Sequence, residues 1–165
     1  MRFTAKFTLA PKVYLEHFQG AMVDVIKFYR QGDAWGEFSN FSPHPFELEG
    51  ETWPTSEHYF QAQKFHDPEV RERIRLAPGP GEAARLGRRL PGLRADWEEV
   101  KESVMLDALR AKFDQHPRLT RVLLSTGEAE LIEHTKNDRY WADGGDGSGR
   151  NRLGVLLMQL RAELR

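Results

Sequence analysis

The sequence has no cysteine, no long hydrophobic run and almost no net charge. Without cysteine, the chain has no disulfide bond, no thiolate metal ligand and no cysteine nucleophile. Lysine and arginine total 24 against 25 aspartate and glutamate, a formal net charge of −1, which argues against a strongly basic surface for duplex nucleic acid. No apolar segment approaches the roughly 20 residues of a membrane span, and no secretory signal is visible at the start. We therefore expect a cytoplasmic protein without a membrane partner.

Length and composition predict one domain with a core of its own. The chain has 165 residues, of which 39% are hydrophobic and 30% are charged, as in ordinary globular proteins. Residues 1–24 contain apolar side chains in no regular pattern. We interpret them as an N-terminal extension, and residues 25–165 as the domain.

Hydrophobic periodicity and turn signals predict an α+β fold, dominated by helices with a few short strands. Strands are predicted at residues 25–29 and 130–134, and a hairpin at 46–53 with its turn at Glu49-Gly50. Helices are predicted from Thr55 or Ser56, a potential N-cap, to about residue 66, then at 67–76, 82–89, 96–114 and 117–126, and after a glycine loop at 143–149.

One predicted helix carries a row of polar side chains. Glu57, Gln61 and Lys64 follow the i, i+4, i+7 spacing that places residues on one helix face. A carboxylate and an amine so placed can act as a general acid or base with a cation beside it. The alternative is structural, because an acid near a helix start and a lysine near its end are favoured by the helix dipole.

The glycine-rich segment at residues 137–151 leads directly into the last helix. Glycines and a helix N-terminus together can form an anion site, with Arg150 and Arg152 adjacent and Trp141 as a stacking surface. The segment matches neither a P-loop nor an EF-hand. Its alternative is a flexible turn before a capped helix.

Other polar and aromatic residues allow similar alternatives. Asn40 can contact a ligand or close its own turn. Trp97 suits the core better than a ligand platform, and Asp96 is most simply a helix N-cap. The spacing of the six histidines matches no metal-binding motif.

The order of several long motifs resembles the NADAR family, and more closely its YbiA-like bacterial branch. The resemblance rests first on Gly-Glu-Phe-Ser-Asn-Phe at 36–41 and on Trp-Pro-Thr-Ser-Glu-His-Tyr-Phe-Gln-Ala-Gln-Lys-Phe at 53–65. Trp97 and the segments 104–113, 131–135, 138–145 and 151–158 agree in order, so the resemblance covers about residues 25–164. It departs from the family at Ala142, where glycine is usual and where a methyl group would narrow or restrict the loop.

The resemblance implies a YbiA-like fold and an N-glycosidase that needs no metal or redox cofactor. The implied substrates are phosphoribosylaminopyrimidine intermediates of riboflavin biosynthesis, cleaved at the ribosyl–amine bond to ribose 5-phosphate and a free pyrimidine amine. The matching position for the family's essential acid is Glu57, and Lys64 matches a lysine that forms a Schiff base in some members. The expected substrate-binding residues are Asn40, Phe41, Trp97, Asp138, Trp141, Asp143, Gly144, Gly145, Arg150 and Asn151.

Within this reading we expect the substrate phosphate on the loop at 144–149 and at the helix start near Asn151. Trp97 and Trp141 are expected to flank the base. Residues 69–94 hold seven arginines against three glutamates, a local charge that suits one phosphorylated small molecule.

Two other functions remain open at this point. One is removal of ADP-ribose from guanine in DNA or RNA, which other members of the family catalyse. The other is a non-catalytic module that binds ADP-ribose or NAD. Whether Lys64 donates a proton or forms a Schiff base is also open, because Glu57 on the same face would oppose the lowered pKa that a lysine nucleophile needs.

Overall fold

Helices dominate the computed structural model, which describes residues 23–165. These residues confirm the helix-dominated α+β class. The expected N-terminal extension lies outside the described residues, apart from Val23 and Asp24. No helix within 23–165 is both long and apolar enough to span a bilayer. The elements are β1 (Val25–Phe28), β2 (Phe46–Leu48), β3 (Glu51–Trp53), α1 (Ser56–Ala62), α2 (Pro68–Arg75), α3 (Pro80–Arg89), α4 (Trp97–Gln115), α5 (Pro117–Ser125), β4 (Glu130–Glu133) and α6 (Arg152–Glu163).

Two small sheets lie among these helices. β2 and β3 form the predicted antiparallel hairpin, and its turn residues Glu49 and Gly50 have φ values of 55° and 78°. Two positive φ values are the signature of the turn that best matches strand twist, and glycine adopts the second without strain. β1 and β4 pair in parallel, with Val25 opposite Glu130 and Phe28 opposite Glu133.

The core surrounds α4, which packs against α1, α5, α6 and β2. Met105, Leu109 and Phe113 repeat on one side of α4 and are completely buried. This spacing matches the helical period, as the sequence predicts. The long helix thus supports the elements that build the site.

The parallel pairing of β1 and β4 determines where polar side chains gather. Carboxyl ends of parallel strands lie at the same edge of a sheet, and the residues that follow them lie close together. Tyr29, Arg30 and Gln31 follow β1, while Thr135 and Asp138 follow β4. This edge faces the space beside α1 and α3.

A capping network fixes the start of α1. The Thr55 hydroxyl accepts a hydrogen bond from the backbone N–H of His58 at 3.3 Å, as the predicted N-cap requires. The same hydroxyl lies 2.8 Å from Nδ1 of His58, whose Nε2 is 3.1 Å from the carbonyl oxygen of Ala77. Burial lowers the pKa of His58, so the neutral ring donates from Nε2 to that carbonyl.

Two expectations about helix ends are wrong. α1 ends at Ala62 rather than near residue 66, because the chain turns to meet a neighbouring segment: the backbone N–H of Arg94 donates to the carbonyl oxygen of Lys64 at 2.8 Å, and Phe65 pairs with Leu93. Asp96 precedes α4 but makes no side-chain cap bond, because its carboxylate is paired with Arg94 at 2.6 Å.

Candidate active site

A cleft of about 780 Å³ lies at the carboxyl ends of β1 and β4, bordered by α1 and α3. This volume suits a small-molecule ligand. Six of the expected site residues line it: Asn40, Phe41, Glu57, Lys64, Asp138 and Trp141. The other lining residues are Tyr29, Arg30, Gln31, Ser39, Phe60, Gln61, Ala84, Arg88, Met105, Glu133, Thr135 and Asn137.

Glu57 is a buried carboxylate in the first turn of α1, with 9% of its surface exposed. Its Oε1 accepts a hydrogen bond of 2.7 Å from Nε2 of Gln61, one turn along the helix. Its backbone N–H donates to the carbonyl oxygen of Asn40 at 3.1 Å, which ties the loop before β2 to the start of α1. Burial raises the pKa of Glu57, against the bond from Gln61 and the charges of Lys64 and Arg88.

Lys64 lies in the turn after α1, at the side of the cleft. Its Nζ is 5.9 Å from the ring centroids of both Phe60 and Trp97. Burial lowers the pKa of Lys64, and the positive charges of Arg88 and Lys101 lower it further, while Glu57 opposes the shift. The net effect is a lowered pKa, which favours the neutral amine that a lysine nucleophile needs.

Glu133 lines the same cleft, although the sequence analysis did not single it out. It is the last residue of β4 and is half-buried. Burial raises the pKa of Glu133 to about 8, and the negative charges of Asp138, Glu57 and Asp143 raise it further. Its position at the carboxyl end of a predicted strand was the available signal.

Aromatic side chains form one wall of the cleft. Phe60 packs edge-to-face on Trp141, with ring centroids 5.3 Å apart, and in the same way on Trp97, at 5.0 Å. Trp141 lines the cleft, whereas Trp97 is only 6% exposed and lies behind Phe60 in the core. Trp97 therefore lies outside the lining of the cleft, and the expectation that it flanks the base stays a prediction.

Asp138 holds Trp141 in place from the adjacent turn. Its Oδ1 accepts hydrogen bonds from the backbone N–H groups of Tyr140 at 2.8 Å and Trp141 at 2.7 Å. Such a turn is a common use of aspartate. Because Asp138 also lines the cleft, it positions the aromatic wall and adds negative charge to the site.

Asn40 and Phe41 approach the cleft from the loop before β2. Phe41 is 39% exposed. Oδ1 of Asn40 is buried and has no hydrogen-bond partner among residues 23–165. An amide oxygen of this kind has an unused acceptor position for a ligand.

The glycine loop lies away from the cleft, and its role as a phosphate site stays a prediction. Its members Asp143, Gly144, Gly145, Arg150 and Asn151 do not line the cleft. The backbone N–H groups at the start of α6 are already used: those of residues 151, 152 and 153 donate to the carbonyl oxygens of residues 142, 140 and 141 at 3.0–3.1 Å. These three donors are therefore not available to an anion.

The segment that contains the glycine loop instead holds β4 in place through hydrogen bonds. Asn151 donates from Nδ2 to the carbonyl oxygen of Leu131 at 2.8 Å and accepts from the backbone N–H of Glu133 at 2.9 Å. Asp143 lies 2.7 Å from Nδ1 of His134 and accepts from the backbone N–H of Gly145. These contacts fix the strand that ends at the cleft.

Arg150 and Ala142 also differ from expectation. Arg150 borders a separate surface hollow with Glu102 and Arg152, where Arg152 is paired with Glu102 at 2.7 Å. Ala142 is fully buried, and its φ is not positive. Its methyl group therefore needs no strained backbone.

Two arginines that the phosphate expectation overlooked line the cleft. Arg88 lies on α3, in the arginine-rich stretch, and Arg30 follows β1. Neither guanidinium makes a hydrogen bond or an ion pair with another residue in the described part of the chain. Both are exposed and available to an anionic ligand.

Comparisons with known proteins agree on one family. The family model described as the NADAR domain matches residues 27–165. The chain is 56% identical over 154 residues to the N-glycosidase YbiA of Escherichia coli (strain K12), which covers 92% of this chain and 96% of that protein. It is 46% identical over 157 residues to the chloroplastic riboflavin biosynthesis protein PYRR of Zea mays, covering 86% of this chain and 25% of the maize protein.

A solved structure supports the same relationship. The NMR structure of E. coli YbiA superposes with a TM-score of 0.80 at 55% sequence identity, covering 93% of this chain and 92% of the other.

Proposed function

This chain belongs to the NADAR family, and we propose that it is an N-glycosidase that hydrolyses the ribosyl–amine bond of phosphoribosylaminopyrimidine intermediates of riboflavin biosynthesis. The products are ribose 5-phosphate and the free pyrimidine amine. The name of the E. coli relative supports the reaction class, and the name of the maize relative supports the pathway. The single observation that carries the proposal is the buried carboxylate of Glu57 beside Lys64 in a cleft of suitable volume.

Glu57 acts on the anomeric carbon. Cleavage of a ribosyl–nitrogen bond builds positive charge on that carbon, as in other glycoside hydrolyses. A buried carboxylate held by Gln61 stabilises this charge and takes a proton from the attacking water.

Lys64 provides a covalent route. A ribosylamine opens to an imine when its nitrogen lone pair expels the ring oxygen, and the neutral Lys64 amine then adds to C1. Loss of the pyrimidine amine leaves a Schiff base on Lys64, which water hydrolyses to ribose 5-phosphate. The lowered pKa of Lys64 supports this route over proton donation by its ammonium.

Arg88 and Arg30 take the role expected of the glycine loop and bind the phosphate. Guanidinium groups form strong charge-assisted hydrogen bonds with phosphate, and both are without a protein partner in the region described. Trp141 and Phe41 border the pyrimidine, and the buried Oδ1 of Asn40 accepts a hydrogen bond from its polar edge.

Replacement of Glu57 by glutamine tests the proposal. Glu57→Gln keeps the shape and removes the charge, and release of ribose 5-phosphate from the aminopyrimidine substrate should fall by about 10²- to 10⁴-fold. Glu99→Gln, an exposed site on α4, serves as the matched control and should keep the wild-type rate. A near wild-type rate for Glu57→Gln would refute the central role of this carboxylate.

The same assay separates the alternative functions. ADP-ribosylated guanosine is incubated in parallel with the aminopyrimidine phosphate. Faster release of ADP-ribose than of ribose 5-phosphate would replace the proposed substrate. Thermal stabilisation by ADP-ribose without any product would indicate a binding module.

A further inference from the structure

We propose that Glu133 is a second catalytic residue, the acid that gives its proton to the leaving nitrogen of the substrate. The inference rests on the proposed N-glycosidase function and deepens it. In the covalent route Lys64 acts as a neutral nucleophile and Glu57 as the base for water, so neither supplies this proton. The departing nitrogen needs it, because an amide-like anion is a poor leaving group. Glu133 is the remaining glutamate in the cleft.

The alternation of side chains along β4 places Glu133 at the cleft. In the parallel pair, Glu133 lies opposite Phe28, and Leu131 lies opposite Ile26. Leu131 and Glu133 share one face of the strand because side chains alternate. Leu131 is completely buried, so the same face passes from the hydrophobic core at Leu131 to the cleft at Glu133.

The backbone of Glu133 is held on both sides. Its N–H donates to Oδ1 of Asn151 at 2.9 Å, and its carbonyl oxygen accepts from the backbone N–H of Asp143 at 2.9 Å. Its carboxyl group makes no hydrogen bond with any residue in the range 23–165. The backbone is therefore fixed in position, while the carboxyl group stays free to contact a ligand.

The two glutamates of the cleft stand in different electrostatic surroundings. Burial raises the pKa of Glu57 as well, but the hydrogen bond from Gln61 and the positive charges of Lys64 and Arg88 act against that shift and favour its ionised form. Around Glu133 the dominant neighbouring charges are negative.

These negative charges come from three carboxylates: Glu57 on α1, and Asp138 and Asp143 after β4. Arg30, which follows β1, lines the same cleft. Burial and the three carboxylates raise the pKa of Glu133 to about 8, so most molecules carry this proton at neutral pH. Enzymes often use two carboxyl groups as acid and base when their surroundings give the two groups different pKa values.

The proton transfer balances with the rest of the reaction. Glu133 loses its proton to the exocyclic nitrogen as the C1–N bond breaks and the electron pair stays on nitrogen, giving the neutral amine. Glu57 takes a proton from the water that adds to C1. Exchange with solvent returns the proton to Glu133 and removes it from Glu57, so the net reaction is hydrolysis.

Glu133→Gln tests the assignment, with Glu130→Gln as the matched control at the exposed start of the same strand. For the aminopyrimidine substrate, Glu133→Gln should lower kcat by about 10²- to 10⁴-fold with little change in KM, and Glu130→Gln should match wild type. A ribosylamine 5-phosphate with nitroaniline as leaving group needs less protonation. The kcat for this nitroaniline substrate should therefore fall much less in Glu133→Gln than the kcat for the aminopyrimidine substrate.

The pH profile supplies a second readout. In wild type, kcat/KM should decline above about pH 8. This decline should persist in Glu133→Asp, which keeps a carboxyl group, and disappear from the residual activity of Glu133→Gln. Titration of the wild-type carboxyl by carbon NMR gives the same information if Glu133→Gln fails to fold.

The outcomes separate the two proposals. A wild-type protein that releases no ribose 5-phosphate overturns the proposed function and the role of Glu133 together. Wild-type turnover with an unchanged rate in Glu133→Gln, an equal loss on both leaving groups, or a Glu133 carboxyl that is ionised at pH 6 overturns only the role of Glu133.

Discussion

Gly87 on α3 lies directly against Gln61 on α1. A Cβ atom at position 87 would be 2.0 Å from Oε1 of Gln61 and 3.0 Å from its Cβ. The two helices therefore approach closely only because residue 87 has no side chain. Gln61 is the residue that donates to the Glu57 carboxylate, so this contact links helix packing to the site.

Gly87→Ala should reduce both stability and turnover. The new methyl group must displace Gln61 or separate the helices, at a cost of about 1–3 kcal/mol, and displacement removes the bond to Glu57. Gly81→Ala is the matched control on the same helix, because a Cβ there meets nothing within 4 Å. Denaturant unfolding and the release of ribose 5-phosphate measure both effects. Equal behaviour of the two variants would contradict the role given to Gly87.

Arg88→Gln should weaken binding of phosphorylated substrate specifically. Loss of one charge-assisted hydrogen bond should raise KM by about tenfold or more. The dephosphorylated ribosylaminopyrimidine should show little change. Arg89→Gln, its exposed neighbour on α3 that does not line the cleft, is the control. The same rise in KM for both substrates would argue against a phosphate contact.

Borohydride added during turnover should trap a reduced pentose phosphate on Lys64. Mass spectrometry of the peptide that contains Lys64 measures the adduct, and Lys64→Met should show none. Adduct formation should slow as the pH falls, because protonation removes the nucleophile, and the pKa that burial lowers favours the neutral amine. Turnover in wild type without an adduct would favour direct attack by water at C1.

Lys112→Met should destabilise the protein and loosen the loop that carries Asn40 and Phe41. Lys112 is completely buried, and its Nζ donates to the carbonyl oxygens of Glu37 at 2.6 Å and Ser39 at 3.1 Å. Removing the donor leaves buried acceptors unpaired, at about 1–3 kcal/mol each. We expect a lower free energy of unfolding and a higher KM.

The pH dependence of stability gives a separate check on Lys112. Burial lowers the pKa of Lys112 to about 7, whereas an unfolded lysine titrates near about 10.4. Between these values the unfolded chain binds more protons, so this residue makes the free energy of unfolding rise with pH. Lys112→Met should remove this rise, and the exposed Lys27→Met should keep it. A slope unchanged in Lys112→Met would show that the native ammonium keeps its proton.

Local sequence signals predicted the secondary-structure elements better than they predicted contacts between residues distant in sequence. Thr55 caps α1 and Glu49-Gly50 turns the hairpin, as expected, because both depend on neighbouring residues alone. The end of α1 was placed too late because its cause is a distant one, the bond between the backbone of Arg94 and Lys64. Capping signals carry no information about such a partner.

The residues of the candidate site show the same difference between local motifs and distant contacts. Glu57 and Lys64 were singled out from one continuous motif, and the cleft contains both. Glu133 was missed because strand alternation does not reveal which face reaches a cavity. The phosphate expectation was inferred from glycine content, which does not reveal that the backbone N–H groups of residues 151–153 already donate to the carbonyl oxygens of residues 140–142.

The pairing of β1 with β4 has a consequence for biosynthesis of the protein. Val25 meets Glu130 only after about a hundred intervening residues have been made, and contacts so distant in sequence form slowly because the loop they close is long. A nascent chain that has reached the turn after α1 already carries Glu57 and Lys64, but it lacks the second strand, Glu133 and Trp141. The half-made polypeptide therefore lacks one side of the cleft, which can form only when the last fifth of the chain has been made.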